Sequence, residues 1–311
     1  MPGRGTQGTD EREETSDMKI LCAIDGSCHS QWVLEWLPHV CSPGDCSLLL
    51  VHAVDMGQFK PLSKLDRKTR SALVNVLDCS LEGAARLLEA AELKVSTSWD
   101  SVRAKLLRGS PAVAVARSVK REQPDLLVIG SRGVTEFQPM LLGSVSRKLL
   151  MQAPCPVLLV KKPTAVLKRV LLGADGSIES WEAAAWLERL PEHSRPSVTV
   201  ASVIPPLPME SLRVPSRALA VGNQVEGVLR REAQKLAARV AGTLRKAGLS
   251  AKGIVLSGSP GAELVTLAAR ERANLIVVGS RSGRSAREYF MGSAADTVVK
   301  HAPCSVLVYR S

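Results

Sequence analysis

The chain has 311 residues, 45% hydrophobic, 23% charged and only 3% aromatic, and its 41 basic against 30 acidic side chains give a net charge of +11. That length holds about two domains, and no apolar run reaches the ~18–20 residues of a membrane-spanning helix. Residues 1–17 are polar and acidic with no apolar stretch, so a disordered tail is expected there rather than a secretory leader. The basic surplus, most of it in the second half, suits anionic ligands or a solvated surface. No run of five like charges, zinc-finger spacing or RNA-binding aromatic motif supports nucleic acid. The cysteines Cys22, Cys28, Cys41, Cys46, Cys79, Cys155 and Cys304 show no CxxC spacing. They are expected as reduced thiols in a cytoplasmic protein.

In chain order, Lys19–Ile24 is a continuous apolar run ending at Asp25-Gly26-Ser27, the pattern of a buried parallel strand. Ser30–Val40 places Trp32, Val33, Trp36, Leu37 and Val40 at helical spacing. Its tryptophans belong to the core or a domain interface. Ser47–Val54 is a second strand, Leu73–Ala91 a long helix and Val95–Val102 a third strand. Gly109-Ser110-Pro111 opens a helix, with serine as cap and proline in the first turn. Asp125–Gly130 is a fourth strand, a helix starts at Gly143, and Pro156–Lys161 is a fifth strand.

The same landmarks then recur. Asp25-Gly26-Ser27 returns as Asp175-Gly176-Ser177, and Trp36-Leu37 as Trp186-Leu187, at an offset of 150. Gly109-Ser110-Pro111, Gly130-Ser131-Arg132, Gly143-Ser144 and Ala153-Pro154-Cys155 return at an offset of 149. The chain is therefore read as two copies of one domain, 18–162 and 167–311, joined by a very short linker. Arg169–Ala174, Ser197–Ile204, Ala251–Val255, Asn274–Gly279 and Ser305–Tyr309 are the strands of the second copy. Alternating strands and helices give an open, parallel, Rossmann-like α/β sheet with helices on both faces. The last strands would be exposed apolar edges unless paired, so the two copies are expected to pair through them.

Open α/β sheets bind ligands outside the carboxyl ends of their strands. Three features fall there. Asp25 ends the first strand, His52-Ala53-Val54 the second, and Gly130-Ser131-Arg132-Gly133 the fourth. Nine residues after Gly133, Gly143-Ser144-Val145-Ser146 opens a helix. Glycines admit a phosphate to the backbone, the helix start favours an anion, Arg132 offers a fork of donors, and Ser144 and Ser146 offer hydroxyls. Asp25 is placed to accept from a ribose. The set describes a mononucleotide site. Plainer roles stay open: Asp25 as a helix cap, the Gly-Ser turns as ordinary caps, and His52 and His301 as structural residues. No Walker lysine, carboxylate pair or general-base histidine is evident near the loop.

The segments Val128-Ile-Gly-Ser-Arg-Gly133, Leu142-Gly-Ser-Val-Ser146 and Ala153-Pro-Cys-Pro-Val-Leu158 resemble the G-x2-G-x9-G-(S/T) motif and following strand of the universal stress protein (UspA-like) family. The resemblance covers both copies. It implies two tandem five-stranded domains of the adenine nucleotide alpha hydrolase-like kind, ATP with Mg2+ or Mn2+ as cofactor, and a regulatory, stress-response role without fast turnover. Signalling protein partners and a homodimer are compatible with it; a membrane is not. It places Ala23, Ile24 and Asp25 at the first strand end, Ala53 against adenine, and Ile129 and Gly130 beside the adenosine. Arg132, Gly133, Gly143, Ser144, Val145 and Ser146 would hold the phosphates. In the second copy Asp175, Gly279, Arg281, Gly292 and Ser293 remain. Ser282 and Ala295 replace Gly133 and Ser146, while Arg284 and Arg287 add charge. A functional first site is expected over the second. A slow ATPase or autophosphorylating protein and a nucleotide-free interaction module are the alternatives.

Overall fold

A computed structural model describes residues 18–57, 66–133, 142–206, 216–280 and 291–310. The first half runs β1 (Met18–Ala23), α1 (Cys28–Val40), β2 (Cys46–Val54), α2 (Arg67–Ser96), β3 (Val102–Arg108), α3 (Pro111–Glu122), β4 (Leu126–Gly130), α4 (Ser144–Gln152) and β5 (Val157–Val160). The second runs β6 (Arg169–Gly173), α5 (Ile178–Glu188), β7 (Ser197–Ile204), α6 (Ser216–Lys246), β8 (Ser250–Ser257), α7 (Pro260–Glu271), β9 (Leu275–Gly279), α8 (Ser293–His301) and β10 (Ser305–Tyr309).

The strands join into one ten-stranded sheet in the order β3-β2-β1-β4-β5-β10-β9-β6-β7-β8. Every neighbouring pair is parallel except β5 and β10, which run antiparallel with Leu158 opposite Leu307. The central strands, such as β4, β5, β9 and β10, are almost wholly apolar because both faces are covered. On one face Ile20, Cys22, Leu48 and Leu172 meet Trp36 and Leu37 of α1, Leu88 of α2, Trp186 of α5 and Val240 of α6. On the other, Leu21, Leu127, Leu159 and Ile276 meet Val115 of α3, Leu149 of α4, Leu264 of α7 and Val298 of α8. Each cluster runs through both halves, so the seam between them is continuous core.

The third strand lies later than expected. Val95 is the last buried position of a helical stripe that includes Ala84, Leu88 and Ala91, and α2 therefore continues to Ser96. Its start is earlier too, because Asp66 caps it, accepting from the Thr69 amide at 3.0 Å. The strand is Val102–Arg108, the edge of the sheet, and its Arg103, Lys105 and Arg108 are of the kind that protects an edge from further pairing. The cysteines differ as well. Cys41 and Cys46, at the end of α1 and the start of β2, form a disulfide across a short turn with Cα atoms 6.6 Å apart. The spacing carries no motif because the turn, not the sequence interval, brings them together. The other cysteines are free.

Polar contacts tie the halves together at the seam. Trp36 Nε1 donates to the carbonyl of Lys162, the last residue of the first half, at 2.9 Å and so fixes the start of the linker. His39 lies between Ser194 Oγ (3.2 Å) and the Thr164 carbonyl (3.0 Å), and His193 Nε2 is 2.8 Å from the Pro38 carbonyl. Among the described residues no helix is long and apolar enough to cross a membrane.

Candidate functional site

The carboxyl ends of β1 and β4 lie side by side, with Ala23 opposite Ile129, and the chain leaves them toward opposite faces of the sheet. The crevice this opens is a cavity of about 290 Å³. Ala23, Ile24, Asp25, Ala53, Ile129, Gly130, Arg132, Gly133, Gly143, Ser144, Val145 and Ser146 all line it. Ser30, Val51, His52, Pro111, Val115 and Leu149 complete the wall.

Asp25 is held by the start of α1. Its Oδ1 accepts from the Ser27 amide (3.0 Å) and the Ser30 hydroxyl (2.6 Å). Capping of α1 falls to Ser27, whose side chain accepts from the Ser30 amide. Asp25 is thus oriented into the crevice rather than used as the cap. Gly133 passes directly over it, and a Cβ at that position would stand 2.6 Å from Asp25 Oδ2. Only glycine brings the loop this close. At the far end of the loop, the Gly143 amide donates to the Ser131 carbonyl at 2.8 Å. Gly143 is the N-cap of α4 and brings no capping side chain, so the positive end of that helix faces the crevice.

Two residues play parts other than those expected. The Ser146 hydroxyl donates to the Gly130 carbonyl at 2.7 Å and is buried. It straps α4 to the end of β4 instead of offering its proton to a ligand. A histidine does stand near the loop. His29, in the first turn of α1, packs edge-on against Trp32 with ring centroids 4.5 Å apart. Its Cβ lies under Gly130, where an added Cβ would be 2.8 Å away. Burial and the nearby Arg132 guanidinium lower its pKa, against the opposing pull of Asp25. Sequence spacing gave no sign of it because contact with the loop is made across β1 and β4. His52 was more visible: it precedes Ala53 at a strand end, and its Nδ1 donates to the Ile24 carbonyl at 2.7 Å.

The second half repeats the frame at smaller scale. Asp175, Gly279, Gly292 and Ser293 line a cavity of about 120 Å³ between β6, β9 and α8. Val203 stands where the first half has Ala53, Leu264 where it has Val115, and Ala295 where it has Ser146. Val203 and Leu264 are larger than Ala53 and Val115 and take up space in the smaller cavity, whereas Ala295 only removes a hydroxyl. Arg281, with Ser282, Arg284 and Arg287, lies outside the described residues. Among the described residues no cluster of three or more His, Cys, Asp or Glu side chains is arranged to hold a metal ion.

A tandem parallel α/β protein, with a crevice at the strand ends of each half, is the class that fold and site define. The model of the universal stress protein family matches residues 18–161 and again 167–310, and the chain belongs to that family. A universal stress protein of Thermus aquaticus is 34% identical over 142 residues, which is 46% of this chain and 97% of that protein. One from Methanocaldococcus jannaschii is 29% identical over 146 residues, 47% of this chain and 82% of that protein. Each therefore corresponds to a single half. The crystal structure of a universal stress protein from Archaeoglobus fulgidus matches the whole fold, covering 95% of this chain and 99% of its own, with a TM-score of 0.64 at 20% identity.

Proposed function

We propose that the first crevice binds an adenine nucleotide, ATP with Mg2+ or Mn2+, and that the chain is a cytoplasmic regulatory protein of the stress response. One observation carries this reading: Asp25, Arg132 and the amino end of α4 converge on a single cavity of about 290 Å³ that Ala53 and Ile129 also line. The small side chain of Ala53 leaves room for a flat base, Asp25 suits a ribose hydroxyl, and Arg132 with the helix start suits a phosphate tail. The described residues offer no cluster of three or more metal-ligating side chains, and the divalent cation would ride on the phosphates, with Asp25 the carboxylate at hand. Partner proteins would read the occupied state of the loop after Gly133.

Release of bound small molecules from purified, denatured protein, followed by titration with Mg·ATP, tests this. ATP-class nucleotide near one per chain, lost in Asp25→Ala, is the expected result. Absence of nucleotide, with no heat released on Mg·ATP titration, would leave a nucleotide-free interaction module. His29 puts an imidazole beside Arg132, so phosphate release belongs in the same assay. Steady release abolished by His29→Ala would make the protein a slow ATPase.

A further inference from the structure

The basic surplus of the second half has a definite place in the fold, at the starts of its strands. There the two halves compare position by position. Lys19 stands opposite Ser47 in the first half and Arg169 opposite Ser197 in the second, so Asp45, two residues before Ser47, corresponds to Arg195. Gln123 and Arg272 close α3 and α7 in the same left-handed conformation, with φ of 48° and 51°. Asp125 accepts from the Lys19 amide at 2.8 Å, and Asn274 from the Arg169 amide at 2.9 Å. At all three positions the backbone is the same and the second half is the more positive.

These cations form a row. Across β9, β6, β7 and β8 the strand starts carry Arg272, then Lys168 and Arg169, then Arg195, then Arg245 from the end of α6. All five are exposed. Lys162, which shares a cavity with Arg272, continues the row toward the first half. Three of the guanidinium groups are pinned by one nitrogen to a backbone carbonyl: Arg169 to Arg272 at 3.1 Å, Arg195 to Ala247 at 3.1 Å and Arg245 to Ala251 at 2.8 Å. The rest of each fork is thereby oriented before any ligand arrives, which lowers the entropy cost of binding. The described acids at this end of the second half are Glu188, Glu192 and Glu271, and Glu271 is taken up by Lys252 (2.9 Å) and Thr199 (2.8 Å). With strands about 4.8 Å apart, the four strand starts span about 14 Å. One strand of a duplex advances ~3.4 Å along the axis per phosphate, so the row faces about four of them.

We propose that this face binds the phosphate backbone of a double-stranded nucleic acid without reading its sequence. Arginine forks match phosphate oxygens. Among the described residues no Trp, Tyr or Phe is exposed, so unstacked bases would find no platform, and a duplex is favoured over a single strand. No linear motif announces the surface because its arginines come from four separate segments that only the sheet brings into line. The proposal does not depend on the nucleotide reading of the first crevice.

Fluorescence anisotropy of a short labelled DNA duplex of mixed sequence, titrated with the full chain between about 50 and 200 mM salt, tests this. The wild type is expected to bind with a slope of log affinity against log salt between about −3 and −4. Arg195→Gln/Arg272→Gln uses the residue that already closes α3, and it should make the slope shallower by about two and weaken binding at least tenfold at the lower salt. Lys168→Gln, a milder change, should make it shallower by about one. Melting temperatures confirm that each variant is folded. Arg103→Gln/Arg108→Gln, which removes the same charge from the edge strand of the first half, is expected to bind as the wild type does. No binding by the wild type, an unchanged slope in the variants of the row, or an equal loss in Arg103→Gln/Arg108→Gln would overturn the proposal. So would tighter binding to a single strand of the same length, or binding to phosphatidylserine vesicles without binding to the duplex.

Discussion

Lys161 and Arg310 perform the same task in opposite directions across the seam. Lys161, just beyond β5, donates from Nζ to the carbonyl of Ala302 at the end of α8 (3.0 Å). Arg310, just beyond β10, donates to the carbonyls of Ala153 (2.8 Å), Met151 (3.1 Å) and Leu150 (3.2 Å) at the end of α4. Each half therefore supplies a cation to the negative end of a helix in the other. Arg310 is 8% exposed, and its removal leaves several buried carbonyls without that donor. Arg310→Ala should cost about 3 kcal/mol of unfolding free energy, and Arg310→Lys, whose compact ammonium lacks the guanidinium fork, should recover less than half of it. Urea denaturation of both variants checks this; a loss under about 0.5 kcal/mol would show that the contacts carry no stability.

Lys161 also makes stability depend on pH. Burial, reinforced by Arg132 and Lys162, lowers its pKa to about 8, whereas in an unfolded chain it titrates near ~10.4. Between these values the unfolded chain holds the extra proton, so stability rises as pH climbs through the window. Relative to Lys161→Met, the wild type should gain on the order of 2 kcal/mol across it. Parallel denaturation curves at the two ends of the window measure the difference, and a flat difference would place the ammonium in water.

Gly133 tests the closeness of the loop to Asp25. A methyl group there meets Asp25 Oδ2 at 2.6 Å, so either the loop or the carboxylate must move. The position lies at the crevice mouth, outside the buried core, and Gly133→Ala should leave the melting temperature within about 2 °C while weakening Mg·ATP binding tenfold or more. Calorimetry on the variant reads both; unchanged affinity would remove Gly133 from the site.

Thiol counting checks the cysteine assignments. Cys28 and Cys79 are exposed, and Cys22, Cys155 and Cys304 are buried. Burial pushes each of the buried thiols up to about 12, which leaves them protonated and inert in the folded protein. A thiol reagent should label only the exposed pair in the native state and all free cysteines after unfolding. Cys41 and Cys46 should appear only after reduction, at a stability cost of about 2 kcal/mol for so short a closed loop.

Most of the architecture was legible because the repeat supplied two independent copies of each signal. The Asp-Gly-Ser turns, the Gly-Ser-Pro helix start and the apolar strands all lie close to where periodicity puts them. The third strand was misplaced because Val95-Ser96 looks extended when read alone, and its role in the α2 stripe depends on packing against the sheet. The crevice residues of the first half were also legible, since strand ends and glycine spacing are local features. The bond from Ser146 to Gly130, the position of His29 and the meeting of Arg169 with Arg272 were not. Each depends on a contact between segments about a hundred residues apart or on the direction a hydroxyl takes, and neither has a local signature.

The antiparallel junction of β5 with β10 has one further effect. In a pair of separate subunits the association would weaken on dilution, and every substitution would appear on both sides at once. Here the partners share a backbone, so the encounter is intramolecular and holds at any concentration of protein. The tether also lets one side keep an aspartate, Asp45, where the other holds Arg195, an asymmetry that identical subunits have no means to encode.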